Sequence, residues 1–77
     1  MLHLEPDGAG ALNQQVSRAL KRAILDGRLV VGARLPSSRT LARTLGVSRN
    51  TVVDAFEQLM AEGFLCGRIG AGTFVAT

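Results

Sequence analysis

The stretch LARTLGVSRNTV, residues 41–52, has the spacing of two short helices that cross at a tight turn. Ala42 is small enough for a second helix to pass close to it, and Gly46 tolerates the left-handed backbone that such a turn requires. Val52 supplies an apolar side chain that the second helix can bury against the first. This spacing of i, i+4 and i+10 is typical of a helix-turn-helix, and an ordinary three-helix bundle with a glycine turn is the alternative.

Helices are predicted on both sides of this turn and upstream of it. Ser37 and Ser48 are suitable N-caps, which predicts helices over residues 38–45 and 48–62. Apolar residues recur at helical spacing over residues 11–26 and predict another helix before these two. The turn therefore joins the second and third of three helices.

The pattern after the third helix changes to that of strands. Residues 64–76 contain two short strand-like runs, and the glycine-rich segment 69–72 between them suits a hairpin turn. Residues 27–36 form a connector between the first two helices, with Val30 and Val31 as its expected anchors.

Three helices followed by a hairpin predict a mainly α domain with a small β-hairpin, a winged helix-turn-helix with a two-stranded wing. We assign this domain to residues 11–77 and a leader to residues 1–10. No run approaches the about 18 apolar residues of a membrane span, and the first residues do not form a signal peptide. A single cysteine excludes an internal disulfide, so a cytoplasmic location is expected.

Basic residues cluster in the middle of the chain. The net charge is +3, and residues 34–53 hold four arginines and no acid, whereas residues 54–63 hold three acids and no base. Arginine forks match phosphates and base edges. This polarity favours a polyanionic partner, and a merely solvated basic face is the alternative. No pair of titratable groups suits catalysis, so an enzyme is not expected.

The predicted third helix opens with Ser48, Arg49, Asn50 and Thr51. Acids would stabilise the first turn of an isolated helix, yet here an arginine stands there and the acids come later. Arginine and asparagine pair two-pronged with guanine and adenine edges. DNA contact is therefore predicted for Arg49, Asn50 and Thr51. A purely capping Ser48 and solvent-exposed Asn50 and Thr51 are the alternatives.

Several runs resemble the DNA-binding domain of GntR-type bacterial transcription regulators. They include LPSSR (residues 35–39), LGVSRNTV (residues 45–52) and GAGTFV (residues 70–75), and the resemblance covers roughly residues 11–76. The run SRNTV followed by FEQL (residues 56–59) is most similar to the MocR subfamily, also called PdxR-like. The resemblance implies a sequence-specific duplex DNA-binding module with the third helix in the major groove and the wing near the minor groove.

The resemblance also implies individual contacts. The expected DNA-binding residues are Arg39, Ser48, Arg49, Asn50, Thr51 and Gly70. Apart from the resemblance, the basic side chains of Arg34, Arg43 and Arg68 are the candidate phosphate contacts. Two departures from the family pattern matter. Ser38 and Thr40 replace acidic residues common in other members, so the second helix lacks a capping box. Val53 stands where some members carry a DNA-contacting arginine, which narrows direct base contact to residues 48–51.

In MocR-type regulators the winged domain precedes a linker and a large aminotransferase-like domain. The resemblance thus assigns no cofactor to these 77 residues, and it leaves pyridoxal phosphate and homodimerisation to a C-terminal domain absent from this sequence. Two other functions remain open. One is a winged helix used for protein–protein interaction, and the other is the non-catalytic N-terminal part of a pyridoxal-phosphate protein.

Overall fold

Three helices precede a two-stranded antiparallel sheet in the computed structural model, which describes residues 11–68 and 70–76. The elements are α1 (Leu12–Leu25), α2 (Ser38–Leu45), α3 (Arg49–Ala61), β1 (Leu65–Arg68) and β2 (Gly72–Val75). The predicted fold class, mainly α with a small hairpin, is confirmed. The leader predicted over residues 1–10 lies outside the described residues.

The helices predicted at about residues 11–26 and 48–62 correspond to α1 and α3 together with their cap residues. Ala11 and Asp26 flank α1, and Ser48 and Glu62 flank α3, all as cap residues. Cap residues contribute to the helix hydrogen bonds while only half belonging to the helix, and sequence periodicity does not separate them from it.

Serine caps define the starts of α2 and α3. Ser37 Oγ accepts a hydrogen bond from the Thr40 amide at 3.1 Å, and Ser48 Oγ accepts one from the Thr51 amide at 3.2 Å. In each pair the two hydroxyls are also hydrogen-bonded, at 3.0 Å and 2.8 Å. A Ser-x-x-Thr arrangement therefore takes the place of the carboxylate capping box at both helices, and each cap stabilises its helix by about 1 kcal/mol.

The helix-turn-helix spacing is confirmed by burial at its two packing positions. Ala42 and Val52 are 5% and 0% exposed, and Gly46 ends α2 with φ of 72°. All three helices and both strands contribute to one core. Its buried members are Val16, Leu20, Leu35, Leu41, Ala42, Val52, Ala55, Phe56, Leu59, Leu65 and Val75.

The connector joins the sheet along the free edge of β2. The Leu35 amide donates to the Thr73 carbonyl at 2.8 Å, and the Val75 amide donates to the Ala33 carbonyl at 2.9 Å. Leu35, which is buried, is therefore the anchor of the connector. The expectation that Val30 and Val31 anchor it is wrong: both are 62% exposed, because they lie in a turn before the connector reaches β2.

Lys21 links α1 to the end of α3 and the start of the sheet. Its ammonium forms an ion pair with Glu62 and lies 5.2 Å from the centre of the Phe64 ring. The Gln58 amide nitrogen also donates to Glu62, at 3.1 Å. This polar cluster lies at the end of α3 opposite to the turn, so it supports the domain without occupying the predicted contact face.

Candidate nucleic-acid interface

The first turns of α2 and α3 meet through their side chains. Arg49, the first residue of α3, donates a hydrogen bond from Nε to Oγ of Ser38, the first residue of α2, at 3.3 Å. Arg39 follows Ser38 and Asn50 follows Arg49, and both are exposed together with Arg49. The structure thus brings the predicted contacts at the start of α2 and at the start of α3 to one end of the helix pair.

The four residues that open α3 divide into two roles. The hydroxyls of Ser48 and Thr51 are hydrogen-bonded to each other in the cap, and Thr51 is half-buried. Arg49 and Asn50 are exposed. DNA contact by all four remains a prediction, and Arg49 and Asn50 are the two of this set whose exposed side chains take no part in the cap hydrogen bonds.

The electrostatics of this end favour an anion. Neither α2 nor α3 has an acidic residue in its first turn, where the partial positive charge of the helix lies. Arg39 and Arg43 stand four residues apart on α2, so they share one helix face, and both are exposed. The two helix starts therefore lack acidic residues, and Arg39 and Arg43 add positive charge along one face of α2.

The wing adds two more arginines on a single sheet face. Arg68 pairs with Gly72, and Arg34 forms a bridge with Phe74. Paired residues share a face and so do alternate residues of a strand, which puts Arg34, Arg68 and Phe74 on the same side of the sheet. The Arg68 guanidinium lies 5.0 Å from the centre of the Phe74 ring, a cation–π contact that limits its motion. The pairing of Arg34 with the wing was not predicted, since no local pattern in the connector indicates it.

Gly70 in the wing turn and Gly72 at the start of β2 differ in their surroundings. Gly70 has φ of 78°, and a Cβ built on it meets nothing within 4 Å. Gly72 has φ of 120°, and a Cβ there would stand 3.0 Å from Arg34 Nε. Gly70 is thus open toward solvent, whereas the Arg34 side chain occupies the side of Gly72 on which a Cβ would stand.

A groove of about 320 Å³ connects these elements. Its walls include Ser38 from α2, Val53 and Glu57 from α3, and Thr73 from the wing. Val53 is half-buried in this groove. Its short apolar side chain adds no donor for a base edge.

Other kinds of site were sought over the same part of the chain. Within residues 11–68 and 70–76, no three His, Cys, Asp or Glu side chains are grouped so that they could hold a metal ion. No helix in these ranges is long and apolar enough to cross a membrane.

The helix-turn-helix and the two-stranded wing place this domain in the class of winged helix-turn-helix domains. The chain belongs to the gntR family of bacterial regulatory proteins, because the model of this family matches residues 12–75. The prediction of a GntR-type domain is thereby confirmed.

Curated relatives confirm the MocR-like character of the sequence. The chain is 46% identical over 77 residues to the probable rhizopine catabolism regulatory protein MocR of Rhizobium meliloti, covering 100% of this chain and 16% of the relative. It is 40% identical over 72 residues to the pyridoxine biosynthesis transcriptional regulator PdxR of Corynebacterium glutamicum, covering 94% of this chain and 16% of the relative. The chain therefore spans about a sixth of the length of these relatives.

Solved structures have the same fold. YtrA, a GntR-family transcription factor from Sulfolobus acidocaldarius, superposes with a TM-score of 0.93 at 29% identity, over 99% of this chain and 80% of that one. The DNA-binding domain of AraR, solved in complex with an operator, superposes with a TM-score of 0.86 at 30% identity, over 97% and 93% of the two chains.

Proposed function

We propose that this chain binds duplex DNA sequence-specifically as the DNA-binding module of a bacterial transcription regulator. The observation that carries the proposal is the meeting of two acid-free helix starts, with Arg49 and Asn50 exposed and Arg49 held beside α2. A recognition helix presents its N-terminal residues to base edges in the major groove. The operator complex of the similar AraR domain supports the same use of this fold here.

In the proposed complex, base contact and backbone contact fall on different residues. Arg49 and Asn50 have the donors and acceptors that guanine and adenine edges require, and Thr51 and the Ser48 cap support them. Arg39 and Arg43 follow the phosphates along α2, and Arg34 and Arg68 do so from the wing face. Gly70 lets the wing approach the minor groove because no side chain stands there.

The proposal carries further expectations for the protein as a whole. The module itself catalyses no reaction and acts in the cytoplasm. If the protein continues as its MocR-like relatives do, the remaining part carries an aminotransferase-like domain that holds pyridoxal phosphate and forms the homodimer. Reading the gene past the codon for Thr77 tests this part without affecting the DNA-binding proposal.

Binding to duplexes with a randomised centre tests the function directly. Repeated selection by the 77-residue chain is expected to enrich one sequence, which then binds more tightly than a scrambled duplex of equal composition in fluorescence anisotropy. Affinity should fall with salt at a log–log slope near −0.9 per phosphate contacted, so four or five contacts predict a loss of roughly 150- to 500-fold between about 50 and 200 mM. A flat salt response with no enrichment would favour a protein–protein interaction module instead.

A further inference from the structure

We propose that Ser38 is a specificity-determining residue that acts by positioning Arg49. Its hydroxyl holds the Arg49 guanidinium in the orientation in which that side chain reads a base edge. Because it concerns how Arg49 meets DNA, this inference rests on the proposed function.

The hydrogen bond leaves the reading end of Arg49 available. Ser38 Oγ accepts from Nε at 3.3 Å, which uses the one donor nearest the aliphatic stem. Over the part of the chain that the structure describes, the two terminal nitrogens, Nη1 and Nη2, have no protein partner. A guanidinium has five N–H donors in one plane, so a hydrogen bond at Nε also restricts the directions in which the other four point.

Ser38 is the more rigid member of the pair. It is half-buried at the first turn of α2, which the Ser37 cap holds in place, and it lines the groove beside Phe56 and Val53. Arg49 is exposed and has a long, flexible side chain. The contact therefore restricts Arg49 rather than Ser38. Ordering a long side chain before binding reduces the entropy lost when it docks.

The distance sets the expected size of the effect. At 3.3 Å the bond is longer than the usual 2.9–3.0 Å of an N–H···O bond, so it biases the orientation of Arg49 without locking it. Loss of this bias should cost about 2- to 10-fold in affinity for the preferred sequence. This is less than the loss of Arg49 itself.

A hydroxyl is also the right chemistry for this task. It orients the guanidinium but carries no charge, so the full positive charge of Arg49 stays available to DNA. A carboxylate at position 38 would form an ion pair with Arg49 and compete with the DNA for it.

Four variants test the inference: Ser38→Ala, Ser38→Thr, Arg49→Ala and the double variant Ser38→Ala with Arg49→Ala. Each is measured on the duplex selected by the wild-type chain and on its scrambled counterpart. Ser38→Ala should lose about 2- to 10-fold on the selected duplex and almost nothing on the scrambled one. Ser38→Thr, which keeps the hydroxyl, should recover most of the loss. With Arg49 already replaced, Ser38→Ala should have no further effect.

Several outcomes would overturn the inference. Equal losses on both duplexes would show that Ser38 supports general binding, and a loss that persists without Arg49 would show that Ser38 acts through α2 or touches DNA itself. Circular dichroism of each variant excludes unfolding as the source of either result. If Ser38→Ala distinguishes the selected from the scrambled duplex as sharply as the wild type does, this inference alone is refuted. If the wild type binds no DNA, the proposed function is refuted as well.

Discussion

The guanidinium of Arg34 covers the side of Gly72 on which a Cβ would stand, 3.0 Å from that position at Nε. The contact joins the connector before α2 to the outer face of the wing, where Arg34 also forms a bridge with Phe74. The wing is therefore a hairpin whose free edge is closed by a third extended segment. Because Gly72 has no side chain, the guanidinium of Arg34, a residue outside the hairpin, can lie against the start of β2.

Replacing Gly72 by Ala should displace Arg34. The end of an arginine side chain moves easily, so the new methyl group pushes the guanidinium aside at little cost, and the loss of stability, about 1–3 kcal/mol, comes mainly from the positive φ of 120°. If Arg34 contacts a phosphate from its present position, the salt slope should fall by about one unit. Combining Gly72→Ala with Arg34→Ala checks the cause, since the glycine change should then leave the slope of the Arg34→Ala variant unaltered.

Replacing Gly70 by Val tests the tip of the wing. A Cβ there meets no protein atom within 4 Å, so the valine should leave the helical core folded and destabilise the domain chiefly through its φ of 78°. Binding to the selected duplex should weaken, because the added side chain obstructs the approach to a groove. Circular dichroism and anisotropy on the same sample separate the two effects. A domain that unfolds as a whole would mean that the wing turn is part of the core and would rule out our assignment of Gly70.

Ser48 offers a way to separate capping from DNA contact. Ser48→Ala removes the hydrogen bond to the Thr51 amide and should lower the free energy of unfolding by about 1 kcal/mol in urea denaturation. Ser48→Asp restores an N-cap, and its charge suits the start of a helix, so stability should return to that of the wild type. The same aspartate should repel phosphates, so DNA affinity should stay low. If Ser48→Asp binds DNA as well as the wild type does, the start of α3 does not face the duplex.

Acid should weaken the link between α1 and α3. Two hydrogen bonds lower the pKa of Glu62 below its ordinary value of 4.5. The bond from the Lys21 ammonium has the larger effect, and the bond from the Gln58 amide has the smaller one. A carboxylate with a lowered pKa stabilises the folded state above its unfolded-state pKa, and this contribution is lost as the pH falls through the folded-state pKa. The stability difference between the wild type and Glu62→Gln should therefore be constant near neutral pH and shrink below about pH 4.5.

Urea denaturation over a series of pH values measures that difference. Lys21→Met removes the larger cause of the lowered pKa. In that background, the effect of Glu62→Gln on stability should lose most of its dependence on acid. A difference between the wild type and Glu62→Gln that stays the same down to the lowest pH would show that the ion pair does not stabilise the fold.

The helix-turn-helix was predictable because its signals are local. Ala42, Gly46 and Val52 stand within eleven residues, and the serine caps lie next to the helices they start. The connector was not predictable in the same way. Its pairing with β2 joins Arg34 to Phe74, forty residues apart, and the hydropathy of Val30 and Val31 does not show that these valines are exposed while Leu35 is buried.

The site shows a similar division, between signals within one helix and contacts between two helices. Arg49 and Asn50 were found from residue type and position at a helix start. The contact between Arg49 and Ser38 depends on the angle at which the two helices cross, and no pattern within either helix contains that angle. The charge pattern identified the arginines but not which of them share a surface.

Arg49 and Arg39 should differ in what they contribute to binding. Arg49 opens α3 with its terminal nitrogens unpaired among the described residues, whereas Arg39 lies on α2, on the face it shares with Arg43. A base contact discriminates between sequences, and a phosphate contact strengthens all of them alike. Arg49→Ala should therefore cost about 1–3 kcal/mol on the selected duplex and much less on a scrambled one. Arg39→Ala should weaken both by similar factors and reduce the salt slope by about one unit.

Arg43→Ala, on the same face of α2, is the matched control and should behave like Arg39→Ala. Equal losses on the two duplexes for Arg49→Ala would make Arg49 a backbone anchor, and a loss confined to the selected duplex for Arg39→Ala would extend base contact to α2.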